Sequence, residues 1–197
     1  MTDSPPYIEG LVHAGKSTLI KALAKKDNGM VCVGEYVEFT TSKFPEQPRN
    51  LKDASEAREY FMSLEKKRRS CISNDAPVVI LDRSVLSILA YHFAIEEVTK
   101  GEVPCFSESV KSLPTGCWIF PELCIYLDVN DSEISRRHER ESGSYSPILL
   151  NPEFNAQLRR FYEKALVTVL PSLEIVRIDS SGSPEEVLHE ANLLLDK

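Results

Sequence analysis

"YIEGLVHAGKSTLIKAL", Tyr7 to Leu23, is the stretch on which the fold turns. An apolar run ends in Gly10, an amphipathic segment starts near Lys16, and two glycines, a lysine and a serine lie at the junction. Gly10 to Ser17 satisfies the spacing G-x-x-x-x-G-K-[ST], which a chain of this length meets by chance about 1% of the time at average residue frequencies. Context sharpens the match: a strand is expected before it, and Lys16–Lys26, with Leu19, Ile20 and Leu23 at helical spacing, is expected to be a helix after it. The glycines let successive backbone N–H groups turn toward one anion, and the helix N-terminus adds partial positive charge. The junction therefore predicts a cradle for the phosphates of a nucleoside triphosphate, formed by Gly10, His13, Ala14, Gly15, Lys16, Ser17 and Thr18. Lys16 would supply a mobile charge to the β- and γ-phosphates, and Ser17 a hydroxyl to Mg²⁺. His13 is expected to contribute through its backbone.

Outward from this junction, apolar segments alternate with helical ones. "MVCVGEYV" (30–37), "PVVILD" (77–82), "LCIYLDV" (123–129) and "EIVRID" (174–179) read as strands. Helices are expected over 53–72, opening at Asp53 with Glu56 in a capping-box spacing, and over 84–98, 131–141 and 183–195. Another starts after the cap-like Asn151-Pro152 and carries Leu158, Phe161, Tyr162, Ala165, Leu166, Val169 and Leu170 as a stripe. The alternation predicts an α/β three-layer fold, with a central parallel sheet of about five strands covered by helices on both faces. Function in such sheets gathers beyond the carboxyl ends of the strands, where Gly10, Glu35, Asp82 and Asp128 fall.

Composition narrows the chemistry. The 197 residues suit a single domain, 1–197. A net charge of −7 argues against nonspecific nucleic-acid binding, so a local cluster of basic residues carries more information. The five cysteines form no C-x-x-C pair, which points to free thiols in a reducing compartment rather than a disulfide framework or a zinc knuckle. Cys32 and Cys124 lie in apolar runs and read as small hydrophobes. "MTDSPPYIEG" lacks the pattern of a signal peptide and no apolar run approaches membrane-spanning length, so a cytoplasmic protein without a membrane partner is expected.

Two further segments specify the kind of phosphate chemistry. "VVILDRS" ends a buried strand in Asp82 and Arg83, an acid suited to Mg²⁺ and an arginine suited to phosphate charge. "SRRHERES" places Arg136, Arg137 and Arg140 on one short segment, with Arg136 and Arg140 four apart on one helix face. In an acidic protein such a cluster suits a lid, approximately 136–150, closing over transferring phosphates. No N-K-x-D guanine-reading motif occurs, which argues against a GTPase.

From Tyr7 to about Leu170 the chain resembles the deoxynucleoside kinase and thymidylate kinase superfamily. "IEGLVHAGKST" is similar to the first strand and phosphate loop of both branches, "GEYVEF" to the E-P-V-E segment of deoxynucleoside kinases, and "LDRSVLS" to both E-R-S and D-R-Y motifs. "PELCIYLDV" followed by arginines resembles the strand and lid of both. "FPEQPR" and "LEKKRRS" lean toward thymidylate kinases. Three departures stand out: Tyr36 replaces the proline of E-P-V, Ser142 stands where the lid pattern R-x-x-x-R-x-R has its last arginine, and E-P-G-G-T is absent.

The resemblance implies an ATP- and Mg²⁺-dependent kinase acting on a nucleoside or nucleoside monophosphate. Glu35 would be the base near the acceptor hydroxyl, and Arg68 or Arg69 the contact to an acceptor monophosphate. Arg83 would lie between the two substrates. Phe39, Phe44 and Tyr91 are candidates for stacking on the acceptor base, with core packing as the competing role. A kinase of the same fold acting on another hydroxylated metabolite and a noncatalytic nucleotide-binding regulator remain as alternatives. The oligomeric state, a homodimer included, is left open.

Overall fold

The computed structural model describes residues 6–26, 30–72, 78–113, 118, 120, 122–141 and 146–195. Five parallel strands, β1 (Tyr7–Gly10), β2 (Met30–Val33), β3 (Val78–Asp82), β4 (Leu123–Asp128) and β5 (Glu174–Asp179), form one sheet in the order β2-β3-β1-β4-β5. β1 is central because its Tyr7 and Ile8 are apolar on both faces and fully buried. Its register pairs Ile8 with Asp82 on one side and Gly10 with Leu127 on the other. All strands run the same way, so the ends of β1, β2 and β3 open onto one edge.

The helices are α1 (Lys16–Lys26), α2 (Leu51–Ser70), α3 (Val85–Val98), α4 (Cys105–Ser112), α5 (Asp131–Arg140), α6 (Pro152–Arg160), α7 (Leu166–Val169) and α8 (Pro184–Leu195). α1 packs with α8 and α3 with α2, α4 and α6, completing the three-layer α/β arrangement. α3 is buried nearly all round, from Val85 to Ile95, so it carries the apolar composition of a core helix rather than a stripe.

Several local expectations need correction. β2 stops at Val33, and Tyr36–Phe39 form a 3₁₀ turn capped by Glu35, because Glu38 reaches back to the Glu35 N–H (3.2 Å). α2 opens two residues earlier than expected: Asn50 is its cap, accepting from the Asp53 N–H (3.0 Å), while the Asp53 carboxylate accepts from the Arg49 N–H (3.0 Å). α4 carried no sequence expectation; Glu96 fastens its start by accepting from the Phe106 and Ser107 N–H groups (2.8 and 3.0 Å). A π-helical turn, Phe161–Ala165, interrupts the helix expected after Asn151. It places both Phe161 and Tyr162 in the core.

Cys32, Cys71, Cys105 and Cys124 are free, and Cys117 lies outside the described residues. Among the described residues no helix is long and apolar enough to cross a membrane.

Candidate active site

The phosphate loop needs its glycines. Gly10 has φ 148°, and a Cβ there would lie 2.4 Å from the Leu127 carbonyl oxygen on the neighbouring strand. Gly15 sits at φ 87° as the chain enters α1. His13 adopts φ 59° without being glycine, a conformation held by tertiary contacts. Its ring lies against His138, with Nε2 3.2 Å from His138 Nδ1, and its Nδ1 is 3.1 Å from the Glu141 carboxylate. The expectation that His13 acts by backbone alone is therefore incomplete: its carbonyl accepts from Arg137 (2.8 Å), and its ring also docks the end of α5.

Lys16 lies folded over the loop. Its Nζ donates to the Gly10 carbonyl (3.2 Å) and the Leu11 carbonyl (2.7 Å). Burial, with Arg83 nearby, lowers its ammonium to a pKa of about 7. Ser17 donates to Asp82 Oδ2 (3.3 Å), while the buried Asp82 Oδ1 has no hydrogen-bond partner. Burial pushes the Asp82 carboxyl up, against the pull of Lys16 and Arg83. A hydroxyl, a carboxylate with an unused buried oxygen, and a loop built for phosphate form an oxygen donor set that fits Mg²⁺ shared with a nucleotide.

Arg83 follows Asp82 at φ 62°. Its Nε forms an ion pair with Glu35, and its Nη1 donates to the Gly10 carbonyl (3.4 Å) and to Ser87 Oγ (3.2 Å). Burial raises the Glu35 carboxyl, but Arg83 and Lys16 outweigh it and hold the group below the ordinary glutamate range. Glu35 is therefore an anion beside Arg83 and Lys16, placed there by the turn after β2 rather than by the strand end that the sequence suggested.

The α2 arginines separate. Arg68 is fully buried: it donates to the Gly34 carbonyl (3.1 Å), Glu65 (2.9 Å), and the carbonyls of Asp82 (2.9 Å) and Arg83 (2.8 Å). Its guanidinium also lies 4.4 Å from the centre of the Tyr36 ring. Arg68 is thus a strut joining the ends of β2 and β3 to α2, with four of its five N–H donors spent within the fold. Arg69 is exposed. Arg68→Ala leaves Glu65 buried without its partner and takes a donor from three carbonyls, so it should cost about 3 kcal/mol. Urea unfolding checks this; a variant as stable as the parent would remove the strut. Arg68→Lys should not restore stability, because an ammonium cannot serve four diverging acceptors.

The arginines of α5 also take different jobs. Asn130 caps the helix by accepting from the Glu133 N–H (2.9 Å). Arg136 pairs with Glu133 on its own helix. Arg137 donates to the carbonyls of His13 (2.8 Å) and Ser180 (2.6 Å), clamping the phosphate loop to the turn after β5. Hydrogen bonds from Arg136 and Arg137 hold the Glu133 carboxyl down to about 2. Arg140 is exposed at the last turn. Residues 142–145 of the expected lid, Ser142 among them, lie outside the described residues, and Pro147–Leu150 form a 3₁₀ turn.

The aromatic candidates are placed as follows. Phe39 is half-buried beside Lys67, which donates to its carbonyl (3.5 Å). Phe44 is 42% exposed and stacks on Phe61 at 5.7 Å between ring centres. Tyr91 packs edge-on against Phe154 at 5.3 Å.

Sequence reading missed Glu9, which is wholly buried in β1 under this cleft. The available signal was an acid inside an otherwise apolar strand that leads straight into the phosphate loop.

Residues 10–142 match the model of the AAA domain family. The chain belongs to that family. No curated protein matches it. Among solved structures, this AAA domain chain is similar to the deoxyadenosine kinase of M. mycoides determined with bound dATP, at 17% identity and a TM-score of 0.68, over 98% of this chain and 100% of that one. It is likewise similar to the thymidylate kinase of Candida albicans, at 20% identity and a TM-score of 0.70, over 98% of this chain and 91% of that one. Both likenesses extend over the three-layer α/β fold described above.

Proposed function

We propose that the protein is an ATP- and Mg²⁺-dependent kinase that transfers a γ-phosphoryl group to a small nucleoside-type acceptor, with a nucleoside hydroxyl favoured over a monophosphate. The observation that carries this reading is the Glu35–Arg83 ion pair at the carboxyl edge of the sheet, beside Lys16 and Asp82. The AAA domain match and the structural likeness support nucleotide chemistry on this fold.

The reaction requires mostly positioning and charge stabilisation. The loop amides and Lys16 hold the β- and γ-phosphates of ATP. Ser17 and Asp82 would hold Mg²⁺, which would supply charge neutralisation and orientation at the phosphates. Glu35 accepts the proton of the acceptor hydroxyl, whose oxygen bonds to the γ-phosphorus as the bond to the ADP oxygen breaks. Arg83 turning from Glu35 toward the phosphates releases the pull that depresses the Glu35 carboxyl, so the base strengthens as the donor arrives. Arg137 keeps the loop against the turn after β5, and Arg140 meets the charge of the transferring group, joined by Arg136 once it leaves Glu133. A monophosphate acceptor would need further cations. Arg68 is fully buried with four of its five N–H donors spent in the fold, and Arg83 is already paired with a carboxylate, which favours a neutral acceptor.

The experiment is radiolabelled γ-phosphoryl transfer from ATP to panels of nucleosides and monophosphates, beside thermal-shift measurements with an ATP analogue, since a preferred acceptor stabilises the native state by mass action. Transfer to a nucleoside is expected. Steady ATP hydrolysis with no transfer to any acceptor would reject the kinase reading in favour of another NTPase role. Arg140→Ala should lower kcat by about 10-fold, or ~1.4 kcal/mol, with little change in acceptor KM. An unchanged kcat would return Arg140 to the solvated face of α5.

A further inference from the structure

Beneath the cleft lies a buried acid that the proposed chemistry does not use. Glu9 is inaccessible to solvent, one residue before the phosphate loop. Ser84 donates to its Oε1 (2.6 Å), and Ser87 (2.5 Å) and Tyr162 (3.1 Å) donate to its Oε2. The direction of these bonds follows from counting protons. Ser84 Oγ already accepts from the Leu86 N–H (3.0 Å), which caps α3, and Ser87 Oγ already accepts from Arg83 (3.2 Å). Each hydroxyl has one proton left, and each is spent on Glu9. Burial keeps the Tyr162 phenol protonated, so it too is a donor. An acid taking three donors and offering none is satisfied as a carboxylate.

We infer that Glu9 is a buried carboxylate that positions Arg83, through Ser87, for its work on the transferring phosphoryl group. Burial pushes the Glu9 carboxyl up, against the pull of Arg83 and the three hydroxyls, and it is the set of three donors that favours the carboxylate. Burial disfavours the Arg83 guanidinium, and Glu35, Glu9 and Asp82 together outweigh that penalty. Of these, Glu35 and Asp82 are the groups that ATP, Mg²⁺ and acceptor would engage, so their hold on Arg83 changes as the site fills. Glu9 is sealed from every ligand and keeps its hold throughout. Arg83 also sits at a backbone angle that a non-glycine residue adopts only under tertiary restraint. The relay Arg83–Ser87–Glu9 joins the end of β3 and the start of α3 to β1, and so keeps the arginine at the loop when the Glu35 pair opens. Glu9 is a positioning residue: it touches neither substrate nor metal.

The inference rests on the kinase reading for its catalytic consequence but not for its structural one, and the test separates the two. In ¹⁵N-arginine-labelled protein, the Arg83 Nη1 signal, which reports the bond to Ser87 and is assigned through Arg83→Lys, should be sharp and protected in the parent chain. It should broaden or vanish in Glu9→Gln, where the amide offers donors to hydroxyls that need an acceptor. Ser87→Ala, which cuts the relay and leaves Glu9 with two donors, should do the same and serves if Glu9→Gln does not fold. In the transfer assay both variants should lose roughly 10–100-fold in kcat, in the range typical of residues that orient a working group, with KM for ATP and acceptor within about threefold. An Arg83 signal unchanged in the folded variants would overturn the inference whatever the protein phosphorylates. A parent chain that transfers nothing, yet shows the expected Arg83 signals, would overturn the kinase reading and leave the positioning intact. A loss confined to stability, with kcat and the Arg83 signal preserved, would reduce Glu9 to a structural polar group and also overturn the inference.

Discussion

Lys16→Met is expected to abolish phosphoryl transfer while leaving the fold intact. The ammonium is the charge closest to the phosphate loop, and burial has already lowered it to about 7. In the free protein it is held by two loop carbonyls, Gly10 and Leu11. Those bonds keep it folded over the loop, and a triphosphate would offer a far better partner. Because charge grows on the bridging oxygen during transfer, the lysine stabilises the transition state more than the bound substrate. The loss should be on the order of 10²–10³-fold in kcat, or about 3–4 kcal/mol. Methionine fills the stem volume and leaves no buried charge, so unfolding free energy should hold or rise. Circular dichroism and steady-state kinetics decide the matter together. Near-normal turnover in a folded Lys16→Met protein would sink the assignment of this loop as the donor site.

Glu35→Gln separates the two kinds of acceptor. With a neutral hydroxyl as nucleophile, a carboxylate within hydrogen-bond reach must take its proton, and the loss of that base should lower kcat by roughly 10²–10⁴-fold. With a monophosphate, the attacking oxygen is already ionised, so the loss should be far smaller. Glutamine keeps the shape, and the neighbouring cap of the 3₁₀ turn depends on the Glu35 backbone, which donates to Glu38 (3.2 Å), so the fold should survive. One side effect follows from the ion pair. Arg83 loses its partner, and its freed charge should tighten ATP binding modestly rather than weaken it. Arg69→Ala, assayed in parallel with a nucleoside and its monophosphate, completes the comparison. Arg69 is exposed on α2 and is the member of the 68–69 pair whose guanidinium the fold has not consumed. A silent Glu35→Gln beside a crippled Arg69→Ala would reverse the preference and favour a monophosphate acceptor.

Between Tyr7 and Leu23 the sequence alone determined the start of the fold and the loop proposed as the donor site. The G-x-x-x-x-G-K-S spacing, the continuous apolar strands and the 3.6-residue stripe of α1 are local properties, because backbone geometry dictates which residue types can bend at Gly10 and Gly15 and which can be buried on both faces of a sheet. β4 was expected to reach Val129 and stops at Asp128, while the end of β3 was legible for the same reason: an apolar run stops where an acid appears. The end of β2 was not, since "GEYV" continues the β-branched and aromatic character of a strand. Only the return of the Glu38 side chain to the Glu35 backbone turns it into a 3₁₀ cap.

Tertiary structure alone decided how the charges were used. Arg68 and Arg69 are neighbours in one basic run and indistinguishable by pattern. The packing of α2 buries the first on four acceptors and leaves the second in water. Arg136, Arg137 and Arg140 look like one cluster. Yet Arg136 turns to Glu133, Arg137 clamps carbonyls 124 and 43 residues away along the chain, and Arg140 faces solvent. His13, His138 and Glu141 meet across a similar distance, as do Glu9, Ser84, Ser87 and Tyr162. Helical and strand periods report which face a residue occupies, but the partner of a charge is set by which elements the sheet order brings together. A long-range ion pair or hydroxyl relay leaves no periodic trace in a single sequence, because its energy depends on burial and geometry that exist only after the chain has closed.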